Sequence, residues 1–416
     1  MLTSRIASVG FLIFALVGGN TAKSFNGYRL YEVNLRTGQE INLLMYLQHH
    51  KPQVDVWVLD AISPKKVLVP PTLTNAVETF FKNYKVNFTI KSGDFGKYNN
   101  LRKLGSQPMD EPSILNSFPS YEEVNDFLMG LSTRHFEWVR FRIVGWSVEG
   151  RPIRALTINP KKKDAIIVDA GIDGREWITV SVALYLMQKL VEDSDQYRVL
   201  NQYKWVIVPL VNPDGYIYSA EEDRYWNKNR RGSGQCVGVN IDRNFAYRWE
   251  LGSELFSGEC HSEFRGYSAF SEPESRAMKT IIESNTDAKM YVSIRSFGGY
   301  IAYPWSHTNT SVKNVDRLRN IAVSAARSIW LYSNREYKVG SSADILRYRA
   351  TGTSMDYAYS SGIPLVFRFQ IAEHADSDFQ PAPSDIDTIV KETFVGIKEL
   401  VYSIQRSTTQ KPRRWG

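Results

Sequence analysis

The sequence predicts an α/β protein with a mixed central sheet flanked by helices, preceded by a small α/β open-sandwich unit. Three observations carry this. Four apolar runs, AIIVDAGI (165–172), WVIVPLV (205–211), MYVSI (290–294) and PLVFRF (364–369), have the length and composition of strands buried on both faces. Long segments of helical periodicity separate or follow them, VDRLRNIAVSAARSIWLY and DIDTIVKETFVGIKELVYSI being the clearest. Residues 23–100 follow an order of strand, helix, strand, strand, helix, strand, which is that of a small open sandwich. With 416 residues, 43% of them hydrophobic and 23% charged, the chain is long enough for a large core plus a second unit.

Residues 1–22 read as a signal peptide: Arg5, then the apolar GFLIFALVG, then the small residues Gly18, Gly19, Thr21 and Ala22. The apolar run is shorter than the roughly 20 residues a membrane span needs. The expected product is therefore secreted and extracellular, without a membrane anchor. In residues 23–100, YRLYEVNL, VDVWVLDAI, KVLVPP and KVNFTIKSG read as strands, and TGQEINLLMYLQ and NAVETFFKNY as helices. Residues 101–119 form a polar linker with three prolines. Its Arg102-Lys103 pair is a natural point for proteolytic nicking. Residues 120–416 form the main domain. YEEVNDFLMGL opens it as a helix, and RIVGWSVEGRPIRALTI reads as a hairpin turning at Glu149-Gly150. SEPESRAMKTIIES carries a capping-box pattern, Ser271 with Glu274, and Pro273 in the first turn.

The formal net charge of +7 is spread along the chain, apart from short runs at Lys161-Lys162-Lys163 and Lys411-Pro412-Arg413-Arg414. That is the pattern of a solvated surface rather than of a nucleic-acid footprint, and no nucleic-acid partner is expected. The two cysteines, Cys236 and Cys260, allow one pairing in an oxidising compartment, worth roughly 3 kcal/mol through the unfolded state. Sequons begin at Asn87 and Asn309.

Ligands in open α/β sheets bind beyond the carboxyl ends of the strands. Asp173, Arg175 and Glu176 follow the first apolar run, and Asn212-Pro213-Asp214-Gly215 the second. Arg295 and Ser296 follow the third, and Gln370 the fourth. A loop between the second and third runs adds Asn227, Asn240, Asp242, Arg243 and Asn244. One charged residue at a strand end is usually solvated, whereas several together indicate a cleft. Taken alone, GIDGREW (171–177) reads either as a carboxylate metal site or as the remains of one.

These residues resemble the secreted zinc carboxypeptidases of the A/B type, over nearly the whole chain. The N-terminal unit with its VLVPP resembles the family's activation domain. GIDGREW resembles GIH(A/S)REW, NPDGY (212–216) matches outright, and YWNKNR (225–230) resembles YWRKNR. CVGVNIDRNF (236–245) is similar to CVGVDLNRNF, and SEPES (271–275) to SEPET. SIRSFGGYIAYPW (293–305) is similar to SIHSYGQYILYPW, and GTSMDYAYSSGIPLVFRFQI (352–371) to the family's C-terminal segment ending in FEL. The resemblance implies one zinc ion held by His, Glu and His. Here Asp173 stands at the first His, Glu176 at the Glu, and Arg295 at the second His. Gln370 stands at the catalytic Glu and Asn227 at the arginine that stabilises the oxyanion. Arg243 is kept at the arginine that holds the substrate's terminal carboxylate, with Asp242 in place of the neighbouring Asn. Tyr348 stands at the mobile tyrosine, Arg175 at the arginine of REW, and Met355 at the position that sets side-chain preference.

These substitutions predict that catalysis is lost. Catalytic zinc needs three protein ligands and an open position. Asp173 is a conceivable ligand, but arginine has no lone pair and is permanently cationic. Gln370 has no basic site to take a proton from water. Asn227 puts a neutral donor where a charged one would face the oxyanion, and one lost donor typically costs ~10²–10³ in rate. No cofactor is therefore expected. The Arg295 guanidinium is expected near the metal position, bonded to Asp173, Glu176 or both. Arg243 and Tyr348 remain as candidates for holding peptide or protein C-termini, of apolar preference through Met355. A carboxylate at Asp242 would compete for Arg243. The alternative is an active zinc metallocarboxypeptidase of A-like preference working through a rearranged site. It would need a further ligand from His49, His50, His135, His261, His307 or His374, of which His374 comes nearest to the Gln370 strand but reads as a surface residue. A third possibility is a structural or storage protein. The expected state is a monomer.

Overall fold

The computed structural model describes residues 22–35, 38–57, 64–98, 117–234, 236–254, 258–374 and 379–409. The expected signal peptide, nearly all of the linker with Arg102-Lys103, and the C-terminal basic run lie outside the described residues.

The N-terminal unit runs β1 (Arg29–Asn34), α1 (Gly38–His50), β2 (Asp55–Trp57), β3 (Lys65–Val69), α2 (Thr74–Asn83), β4 (Asn87–Ser92) and a one-turn α3 (Phe95–Tyr98). Its strands pair antiparallel in the order β2-β3-β1-β4. Tyr31 and Val33 of β1 alternate inward with Val67 and Val69 of β3, and meet Leu44, Val77 and Phe81 of the two helices. The order of elements is the one expected from the sequence. The latter part of VDVWVLDAI falls outside the described residues.

The main domain begins with α4 (Tyr121–Arg134), followed by the hairpin β5 (Val139–Trp146) and β6 (Pro152–Ile158). Ser120 caps α4: its side chain accepts from the Glu123 N–H, and the Glu123 carboxylate accepts from the Ser120 N–H in return. The hairpin turns at Gly150, whose φ of 80° explains the glycine. Then come β7 (Ala165–Asp169), α5 (Trp177–Glu192), β8 (Lys204–Val208), α6 (Pro213–Glu221), α7 (Pro273–Ser284), β9 (Ala288–Ser296) and β10 (Tyr300–Tyr303). The domain closes with α8 (Val315–Ser333), β11 (Lys338–Ser341), α9 (Ser342–Leu346), α10 (Ser354–Ser360), β12 (Leu365–Ile371) and α11 (Pro383–Thr409).

Eight strands form one mixed sheet in the order β11-β10-β12-β9-β7-β8-β6-β5. The four apolar runs are its central strands β12, β9, β7 and β8, which are mutually parallel. One face packs on α5, α8 and α11 through residues such as Val168, Val292, Phe367 and Phe369. The other packs on α7 and α10 through Ile167, Tyr291, Val366, Met278 and Ala358.

The capping expectation for α7 is corrected. The helix starts one residue later, with Glu272 as its N-cap and no side-chain cap bond. Ser271 Oγ instead donates to the Glu272 carboxylate at 2.8 Å. Glu274 reaches away from the helix to accept from the Val148 N–H and from Asn229 Nδ2 at 3.0 and 3.1 Å. Tertiary partners outbid the local cap.

Candidate functional site

The strand pairing assembles the site. Gln370 of β12 is the register partner of Arg295 of β9, and Arg368 is that of Ser293. Alternation sends Tyr291, Ser293 and Arg295 to one face of β9 while Met290, Val292 and Ile294 enter the helix-covered core on the other. On β12 it sends Val366, Arg368 and Gln370 to that same first face. The turn after β7 brings Asp173, Arg175 and Glu176 alongside. Gly174 permits this closeness, because a Cβ there would lie 2.5 Å from the Gly215 carbonyl oxygen. Glu176 is the N-cap of α5 but makes no side-chain cap bond, so its carboxylate stays available to the site.

Arg295 is 4% exposed and lies among three carboxylates. Its Nε donates to Glu176 Oε2 at 2.9 Å. Its Nη1 lies 3.0 Å from Asp242 Oδ2, and its Nη2 lies 3.7 Å from Asp173 Oδ2. The expected contact with the carboxylates is present, strongest to Glu176 and loose to Asp173. Asp173 shares itself with Arg175, whose Nε is 3.6 Å away. Arg175 Nη1 donates at 2.9 Å to Asp55 of the N-terminal unit.

Asp242 lies beside Arg243, its Oδ2 3.5 Å from Nη1, but is held more closely by other partners. Its Oδ2 faces Arg295 and Arg368, the latter at 3.1 Å, and its Oδ1 accepts from the Ser354 N–H and hydroxyl at 3.0 and 2.9 Å. Arg243 finds its near carboxylate in Glu263, at 2.6 Å, and donates to the Tyr348 hydroxyl at 3.2 Å.

Four arginines (175, 243, 295, 368) thus meet five carboxylates (Asp55, Asp173, Glu176, Asp242, Glu263). Burial pushes the Asp173 carboxyl up, against the pull of Arg175 and with the repulsion of Glu176. Burial also raises Glu176, less than it otherwise would because Arg295 is bonded to it. Burial opposes ionisation of Asp242 too, yet Arg295, Arg368 and Arg243 together win and hold its carboxyl down at about 2. Beneath the cluster, Asp169 accepts from Ser293 Oγ at 2.9 Å and from the Tyr291 hydroxyl, and burial lifts its carboxyl to about 6.

A cavity of about 70 Å³ opens onto this cluster, lined among others by Arg175, Glu176, Arg243, Arg295, Tyr348 and Gln370. The Gln370 amide donates to the Phe297 carbonyl at 3.0 Å. Two expected members are elsewhere. Asn227 faces a second cavity, of about 480 Å³, between the N-terminal unit and the main domain; its amide donates to the Ser262 carbonyl at 2.9 Å. Met355 is 2% exposed in the core between β9, β12 and α7, since α10 turns that side toward the sheet. Cys236 and Cys260 form a disulfide. Asn87 and Asn309 are both exposed.

Zinc does not fit these residues. The guanidinium of Arg295 holds the carboxylates that would serve as ligands, and it carries no lone pair. Among the described residues, no group of three His, Cys, Asp or Glu side chains is placed to hold a metal ion. The six histidines do not converge on the cluster, although at its edge the His261 ring accepts from the Glu263 N–H at 2.9 Å. His49 and His50 end α1, and His135 follows α4. His307 pairs with Asp356 at 2.8 Å. His261 is buried in the loop after Cys260. His374 is not a surface residue: it is 6% exposed beside Arg335, and burial depresses it to about 4.

Comparison with known proteins matches this architecture. The family described as "Zinc carboxypeptidase" matches residues 124–396, and "Carboxypeptidase activation peptide" matches residues 31–100. The chain belongs to the zinc carboxypeptidase family. It is 30% identical to carboxypeptidase B of Helicoverpa zea over 299 residues, covering 68% of this chain and 69% of that protein. It is 27% identical to carboxypeptidase A1 of Bos taurus over 410 residues, covering 93% and 97%. The crystal structure of carboxypeptidase A from Helicoverpa armigera superposes with a TM-score of 0.83 at 29% identity, covering 93% of this chain and 99% of that one. The A/B-type zinc carboxypeptidase fold and its N-terminal activation domain are therefore both present. No helix among the described residues is long and apolar enough to cross a membrane.

Three members of the cluster escape a reading of the sequence. Arg368 hides inside an apolar run, Glu263 follows the second cysteine without a motif, and Asp55 comes from the other unit. The β-alternation of PLVFRFQ carried a signal for Arg368, because it shares a face with Gln370.

Proposed function

We propose that this zinc carboxypeptidase family member is a secreted protein that has lost catalysis, its metal centre replaced by an internal ion-pair cluster. One observation carries the reading: the Arg295 Nε lies 2.9 Å from Glu176 Oε2, so a fixed cation is bonded to the carboxylate kept from the ligand set. Without a metal there is no acidified water, and Gln370 offers no base to replace it. Arg243 and Tyr348 remain together, and they support a residual role in holding peptide C-termini. The reading includes an N-terminal leader over residues 1–22, an activation domain over 23–100, a linker over 101–119 and the carboxypeptidase-like domain over 120–416, in a monomer.

Metal analysis tests this directly. Protein purified with zinc present, intact and after cleavage in the linker, is expected to carry far less than one zinc per chain. It is also expected to leave peptides with apolar C-terminal residues uncut. Stoichiometric zinc with measurable release of the C-terminal residue would reverse the conclusion in favour of an enzyme with a rearranged site.

A further inference from the structure

Glu263 reaches the site from the disulfide side. Cys260 is bonded to Cys236, and the residues after it are fixed from several directions. Asn227 Nδ2 donates to the Ser262 carbonyl at 2.9 Å. Asn240 Nδ2 donates to the same carbonyl at 3.2 Å and to Glu263 Oε1 at 3.3 Å. The Glu263 N–H donates to His261 Nδ1 at 2.9 Å. Gln48 of the N-terminal unit donates to Ser262 Oγ at 2.8 Å. The outcome is a carboxylate 2.6 Å from Arg243 Nη2, while Asp242 Oδ2 stands 3.5 Å from Nη1. A carboxylate facing an arginine beside a tyrosine hydroxyl has the chemistry of a peptide's own terminal carboxylate.

The geometry points to Glu263 as a built-in occupant of Arg243: the chain holds its own carboxylate where a peptide C-terminus would sit, with Asn227 as the positioning residue that keeps it there. This rests on the reading of Arg243 as a carboxylate-binding residue. An incoming terminus must displace a tethered competitor whose effective concentration is high because its segment is short and pinned. Burial opposes ionisation of Glu263, but Arg243, helped by Arg175 and Arg368, outweighs it and holds the carboxyl below the ordinary range, so it is charged at neutral pH. Asn227 thereby has a defined role away from any oxyanion: its amide is committed to Ser262, one residue before the competing carboxylate.

Calorimetric titration of the full chain with a short apolar peptide bearing a free C-terminal carboxylate, and with the same peptide amidated, tests the assignment. Glu263→Gln is expected to bind the free acid at least tenfold more tightly than the wild type, with no gain for the amide. Asn227→Ala is expected to move the free-acid affinity in the same direction, and Arg243→Met added to Glu263→Gln to abolish the gain. If the wild type binds the free acid and Glu263→Gln binds it no better, the occupant is overturned while tail binding stands. If no variant binds the free acid, tail binding falls. The pair is then judged by thermal unfolding of Glu263→Gln, Arg243→Met and the double variant. A double variant that loses less than the sum of the singles supports the pairing, and strict additivity overturns it.

Discussion

Replacing Arg295 with alanine would leave Glu176, Asp173 and Asp242 facing one another in a buried pocket. Breaking one side of a buried ion pair costs about 3–5 kcal/mol, so Arg295→Ala is expected to unfold at markedly lower urea than the wild type. Histidine at both positions is expected to behave differently. Asp173→His with Arg295→His would supply, with Glu176, three neutral or anionic ligands and remove the fixed cation. The double variant is expected to take up one zinc per chain by metal analysis, yet to stay without hydrolysis until Gln370→Glu restores a base. The same cluster sets two opposite pH dependences. Asp242 titrates at about 2 in the folded chain and at an ordinary value, about 3.9, when unfolded. Its stabilisation is therefore fully present above the ordinary range and is lost as pH falls from there through about 2. Asp173, pushed up by burial, runs the other way: its contribution is present below the ordinary range and is lost as pH rises through its raised value. Chemical denaturation across acid and neutral pH should show Asp242→Asn removing the acid-side loss and Asp173→Asn flattening the neutral-side one.

Among the helices, α4 shows how much a local signal decides. Ser120 and Glu123 satisfy each other's backbone N–H groups, and the apolar side chains Val124, Leu128 and Leu131 fall on one face. Ser120→Ala is expected to cost about 1 kcal/mol, read from the denaturation midpoint at unchanged slope. Helix α7 carries the same sequence pattern without the cap. Ser271 and Glu274 are drawn instead to Asn244, Asn229 and the Val148 N–H, all distant in the chain. A capping box is readable only where no tertiary partner competes for its side chains. The strands show a related limit. β12 reads as a continuous apolar run because it is buried on both faces, yet Arg368 and Gln370 alternate onto the face that bears the site. An apolar average over a short window conceals a single arginine placed by pleating.

At the scale of the molecule, the two units share a core. Trp57 of the N-terminal unit is 1% exposed, stacks on Tyr225 with centroids 5.2 Å apart, and meets Phe379 edge-on. Phe25, Leu30, Leu68, Phe95 and Phe297 belong to the same cluster. Ion pairs flank it, Lys66 with Glu373 at 2.8 Å and Arg175 with Asp55 at 2.9 Å. Truncating a buried tryptophan costs roughly 3–5 kcal/mol. After proteolytic cleavage in the linker, Trp57→Ala is expected to release the N-terminal unit on size exclusion at concentrations where the wild-type pieces elute together. The sequence by itself determined the two-unit organisation, the central parallel strands, the hairpin, and the presence of Asp173 and Arg295 at the motif positions where the resemblance implies histidines. Each of these depends on short-range periodicity or on residue chemistry at a fixed motif position. Only the tertiary structure decided what these residues pair with. Arg295 takes Glu176 and Asp242, Glu263 takes Arg243, Asp55 takes Arg175, Asn227 leaves the site and Met355 joins the core. These pairings join residues as much as 120 positions apart. They are set by which buried charge lies nearest which when the units close, and no local pattern in the chain encodes that distance.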